Sequence, residues 1–125
     1  MSNVMAVLLN GLAQLEYDRD KPLPDYQTVY LDRMDSRMDE GIRIGAASIV
    51  NPDRNQRAQF VAANLLHAIR NNDEPLAAAL CSYLAVRMPG LKQVRIEDND
   101  QDVSIELVFD EDYRKQVAVP FVHLH

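Results

Sequence analysis

Residues 53–90 read DRNQRAQFVAANLLHAIRNNDEPLAAALCSYLAVRMPG, and this stretch decides the fold class. Asn51-Pro52-Asp53 is a helix-start signal. Ala58, Val61, Ala62, Leu65, Leu66 and Ile69 then recur at helical spacing, which predicts a third helix over Asp53–Asn71 with one buried face. Arg54, Asn55, Gln56 and Arg57 form its wet first turn. Asn71-Asn72-Asp73-Glu74-Pro75 ends that helix and starts the next, with Asp73 or Glu74 as the cap and Pro75 suited to the first turn. The fourth helix, Leu76–Met88, is apolar nearly all round, as expected of an element packed between a sheet and other helices. Pro89-Gly90 stops it. The stretch is a helical hairpin.

Downstream the period changes from helical to alternating. Val94 and Ile96 alternate with Arg95 and Glu97, and Asp98–Asp102 is a polar turn. Val103, Ile105, Leu107 and Phe109 alternate with Ser104, Glu106 and Val108, and Asp110–Asp112 turns again. Val117, Val119 and Phe121 form a last inward face, with Pro120 on an edge. The pattern predicts a three-stranded antiparallel meander with 103–109 in the centre. One sheet face lies under the helices. The other carries Arg95, Glu97, Ser104, Glu106 and Gln116, with Val108 and Val122 as a modest apolar spot.

Upstream, Val4, Leu8, Leu12 and Leu15 fall on one helical face and predict a first helix over 3–17, weakened by Gly11. Asp18–Asp25 holds two prolines among alternating charges and reads as a linker, either a simple surface loop or a tether that makes the first helix an N-terminal arm. A second helix covers 26–40, with Asp25 as N-cap, Tyr26, Val29, Tyr30, Met34 and Met38 on one face and Gly41 as its stop. Ile42–Val50 fits a strand through Ile42 and Ile44, or a helix through Ile42, Ala46 and Ile49. Ala46 and Ala47 favour the helix. The expected fold is therefore one α+β domain over 1–125. It has three to five helices including a central helical hairpin, followed by the three-stranded antiparallel β-meander, with 1–17 as the arm and 18–25 as the linker.

The 125 residues suit one domain, and a hydrophobic fraction of 47 % permits a real core. A net charge of −6 repels phosphate backbones and anionic lipid, so neither nucleic acid nor a membrane is expected as partner. The apolar run Val4–Leu9 has no preceding Lys or Arg and is far too short to span a bilayer. One cysteine, Cys81, excludes an intramolecular disulfide and fits a reducing, cytoplasmic setting.

Little in the chain advertises chemistry. Asp32, Asp35 and Asp39 share a helical face and could converge on a hard cation, but a solvated charged face or a docking surface using Arg33 and Arg37 explains the segment better. Packing of the hairpin could bring His67 near Cys81, although an apolar run around Cys81 points to an inert core thiol. His123 and His125, two apart, would make half of a transition-metal site at most. Asp98–Asp102 alternates carboxylates but lacks the glycine and distal glutamate of a calcium loop. There is no phosphate-binding glycine loop, dinucleotide fingerprint, zinc-type cysteine pair or nucleophile elbow. No metal site and no cofactor is expected.

The sequence thus predicts a non-enzymatic protein-interaction or regulatory module, homo-oligomeric through the arm with Leu8 and Leu12 and through the open edge of the last strand, with Leu8, Leu12, Arg33 and Arg37 as its partner-binding residues. The alternative is a small-ligand or metal-binding accessory protein, with a site between hairpin and sheet built from His67, Cys81 and Tyr83.

Overall fold

The computed structural model describes residues 3–114. Its architecture is α+β, but the predicted order of helices followed by an antiparallel meander is overturned. Among the described residues there are six strands and three helices. In chain order they are β1 (Val4–Leu9), β2 (Leu12–Asp18), α1 (Asp25–Asp39), β3 (Ile42–Ile44), β4 (Ala47–Ile49), α2 (Arg54–Arg70), α3 (Glu74–Arg87), β5 (Gln93–Asp98) and β6 (Val103–Val108). The main sheet is mixed, in the order β2-β1-β5-β6, and β3 and β4 form a separate hairpin.

The first correction concerns the arm. Residues 4–18 form a β-hairpin, and β1 is an interior strand, antiparallel to β2 and parallel to β5. Two signals outweigh the helical spacing. Asn10-Gly11 sits between two apolar runs with φ of 50° and 83°, the paired positive values that a tight hairpin turn needs. Val4–Leu9 is apolar on both faces, as an interior strand covered on both sides must be. Met5, Ala6 and Val7 are fully buried, so this segment is core.

The linker is tied down as well. The Arg19 guanidinium donates to the carbonyls of Ala85 at 3.2 Å and Met88 at 3.0 Å, closing the C-terminal end of α3. Residues 42–49 are the two-stranded hairpin rather than a helix. Gly45, at φ +61°, opens its two-residue turn, and Ile42, Ile44 and Ile49 prefer the pleated strand.

The helical hairpin does form. Asp53 accepts the Gln56 N–H at 2.8 Å while its own N–H donates to the Gln56 side chain at 2.9 Å, a reciprocal cap. Asp73 caps α3 by accepting the Leu76 N–H. Val61, Leu65, Leu80 and Leu84 of the pair pack on Met5, Val7, Val94 and Ile96 of the sheet. The opposite sheet face carries Ala6, Leu8, Gln93 and Val108. Residues 110–114 cross it. Gln93 donates to the Glu111 carbonyl at 2.9 Å, Arg95 pairs with the Glu111 carboxylate at 3.0 Å, and Tyr113 O–H donates to Glu16 at 2.7 Å. The predicted strand 117–121, Gln116, Val122, His123 and His125 lie outside the described residues. In the described sheet 103–108 is the last strand, and its predicted central place, which depends on 117–121, also falls outside the described residues. Among the described residues, no helix is long and apolar enough to cross a membrane.

Candidate functional site

Helix α1 presents three different faces, and the site follows from them. Leu31, Met34 and Met38, spaced three and four apart, turn to the core. Asp32, Asp35 and Asp39 form a second ridge toward α2 and α3. Tyr26, Val29, Tyr30, Arg33 and Arg37 form a third stripe at spacings of three, one, three and four, and all five are exposed. The single predicted face of Tyr26, Val29, Tyr30, Met34 and Met38 is therefore split in two.

The carboxylate ridge is an anchor. Asp35 accepts hydrogen bonds from Arg57 of α2 at 3.1 Å, from Arg87 of α3 at 3.0 Å and from the Tyr83 hydroxyl. Arg57 also pairs with Asp39, and Arg87 with Asp32. Every carboxylate on the ridge has a guanidinium partner, and the described residues hold no cluster of three ligands that could take a metal ion. Burial, then the bond to Asp35, pushes the Tyr83 phenol well above its ordinary range. Hydrogen bonding to Asp39, ahead of the smaller contribution from Asp35, raises the Arg57 guanidinium. Tyr83 stays a neutral donor and Arg57 a fixed cation.

This anchor fixes one end of α1 and leaves the other standing off. Toward the start of both helices, α3 offers small side chains, Ala78, Ala79 and Ser82, and no described residue fills the space between them and Tyr30. The result is a groove of about 820 Å³, floored by Leu31 and α3 and rimmed by Tyr26, Val29, Tyr30, Arg33 and Leu76. Tyr26 is 73 % exposed, Val29 51 %, Tyr30 42 % and Leu76 38 %. Four large apolar side chains thus meet water around one hollow.

The predicted site residues scatter. Arg33 and Arg37 lie on the exposed stripe, Arg33 at the groove itself, and neither makes an ion pair among the described residues. Leu8 is buried in β1 beneath residues 110–114, while Leu12 is exposed at the start of β2. The two are therefore not one face of a helical arm. His67 is exposed on α2, and no hydrogen bond joins it to Cys81. Cys81 is buried in the core, and burial pushes its thiol up to about 12 despite the opposing pull of Arg19, so it holds its proton and is a poor nucleophile. Neither the groove nor the three smaller hollows is lined by His67, Cys81 or Tyr83.

Sequence reading missed Tyr26, Val29, Tyr30 and Leu76 as surface residues. The available signal was Leu31: once it joins Met34 and Met38, α1 has a complete core face without the tyrosines. Comparison with known proteins adds no constraint, since no family model, curated protein or solved structure matches the chain.

Proposed function

We propose that this protein is a non-enzymatic interaction module that buries the α1/α3 groove against the apolar helical face of a protein partner. The observation that carries this reading is the row Tyr26, Val29, Tyr30 and Leu76 around one groove. Burying a large apolar side chain contributes roughly 1.5–3 kcal/mol, which the free chain forgoes at four neighbouring positions. Contiguous apolar patches with a polar rim mark docking surfaces, and tyrosine with arginine is the composition such surfaces favour. A helix laid in a groove is read out by anchors at these spacings. The chemistry around the groove supports binding over catalysis. Among the described residues Arg33 makes no ion pair, and the Tyr83 hydroxyl is locked to Asp35.

A photoreactive amino acid placed at position 29 in living cells tests this reading, with position 48 on the exposed β4 as control. The expected result is a cross-link to a protein from position 29 and none from position 48. Equal cross-linking from both, or none from either, overturns it.

A further inference from the structure

We infer that the groove's occupant is a second copy of this chain, packed across a two-fold axis with the two α1 helices antiparallel. The inference rests on the interaction-module reading above and names its partner. A two-fold interface sets one patch against itself in reverse, so the patch must be self-complementary. The α1/α3 face has that polarity. Helices α1 and α3 run in the same direction, since Tyr26 and Gln27 share the groove with Asp73 and Pro75 while Asp35 meets Tyr83 and Arg87 at the other end.

The starting end is acidic, with Asp25 opening α1 and Glu74 opening α3, both exposed. At the far end the exposed stripe is basic, with Arg33 and Arg37 exposed and unpaired among the described residues, while Asp32 and Asp39 beside it are held by Arg87 and Arg57. The apolar residues lie between. Tyr26 stands three residues before Val29, and Arg33 three after Tyr30. An axis between Val29 and Tyr30 therefore sets Tyr26 of each copy against Arg33 of the other, ring against guanidinium. The same rotation brings Arg33 and Arg37 to flank Asp25 and Glu74 of the second copy. A parallel arrangement would put like charges together, and a partner of one charge sign would match only one end of the face. The net charge of −6 on each copy opposes pairing only weakly, because salt largely screens exposed charges more than about 10 Å apart.

Two charge-reversed variants test the arrangement by native mass spectrometry: Arg33→Glu with Arg37→Glu, and Asp25→Lys with Glu74→Lys. All four positions are exposed, and circular dichroism verifies that each variant keeps the fold. Arg33→Ala, which removes no hydrogen bond or ion pair among the described residues, serves as the milder variant and is expected to weaken the dimer. The wild type is expected at twice the chain mass, each reversed variant alone at the chain mass, and their mixture as a heterodimer. A reversed variant that remains a homodimer, or a mixture that does not pair, overturns the arrangement. A monomeric wild type that still cross-links to another protein from position 29 removes the second copy as occupant and leaves the interaction module standing. Loss of both signals removes both.

Discussion

At the scale of single residues, Cys81 and Asp35 show how burial decides between chemistry and architecture. Both stood among the candidate chemical groups, and both turn out to be structural. The Cys81 thiol is raised from 9.0 to about 12 by burial, so the folded chain keeps a proton that the unfolded chain releases. The neutral thiol's contribution to stability is complete below about pH 9 and declines as pH rises toward 12. Chemical denaturation across that window should show stability falling with pH, and falling less steeply in Cys81→Ala. An identical slope in the variant would show that Cys81 does not titrate as described. In the native state at neutral pH, the thiol should also resist aromatic disulfide reagents until the protein unfolds. The sequence foretold this much, because an apolar run around a lone cysteine is a core signature. It did not foretell Asp35. A carboxylate on a helix face reads as solvated until its partners are known, and Arg57 and Arg87 lie 22 and 52 residues away. Long-range pairing of that kind leaves no local periodicity to read.

At the scale of elements, α1 is the member whose behaviour matters most. It has no side-chain cap at its start, where Pro24 precedes Asp25, and only Leu31 and Met38 are buried along its 15 residues. Its seat on the domain therefore depends on the Asp35 network. Asp35→Ala removes three hydrogen bonds and leaves Arg57 and Arg87 half-buried with one carboxylate partner each, Asp39 and Asp32. Hydrogen bonds to charged groups contribute about 1.5–3 kcal/mol, reduced here by partial exposure, so a loss of roughly 1–3 kcal/mol is expected. Thermal unfolding would read this as a midpoint lower by roughly 5–10 °C. A loss below about 0.5 kcal/mol, the range of ordinary surface changes, would mean that something other than Asp35 seats α1. The hairpin of α2 and α3 was legible because its caps are local: Asp53 with Gln56, and Asp73 with Leu76. The first strand was not, because Val4, Leu8, Leu12 and Leu15 satisfy a helical period by accident. The turn chemistry of Asn10-Gly11 carried the decisive information.

At the scale of the whole molecule, the N-terminal strand organises the sheet. Because β1 enters between β2 and β5, the chain must cross over through α1, α2 and α3 before β5 can pair with it, and that crossover puts all three helices after the first hairpin. Strand order of this kind is set by pairing between residues about 87 positions apart, such as Ala6 with Gln93, which no reading of local pattern reveals. The predicted arm had placed the association surface on Leu8 and Leu12. Leu8 is buried in the sheet, and the proposed surface is instead the α1/α3 face, where Tyr26, Val29, Tyr30 and Leu76 gather as four of the exposed large apolar side chains among the described residues. The central claim is that this face joins two copies. Sedimentation velocity of the wild type beside Tyr26→Asp/Val29→Asp, over a dilution series, tests it most directly. The expected result is a wild-type dimer that dissociates on dilution and a folded variant that sediments as a monomer at every concentration. A wild type that is monomeric throughout, or a variant that dimerises as the wild type does, would contradict it.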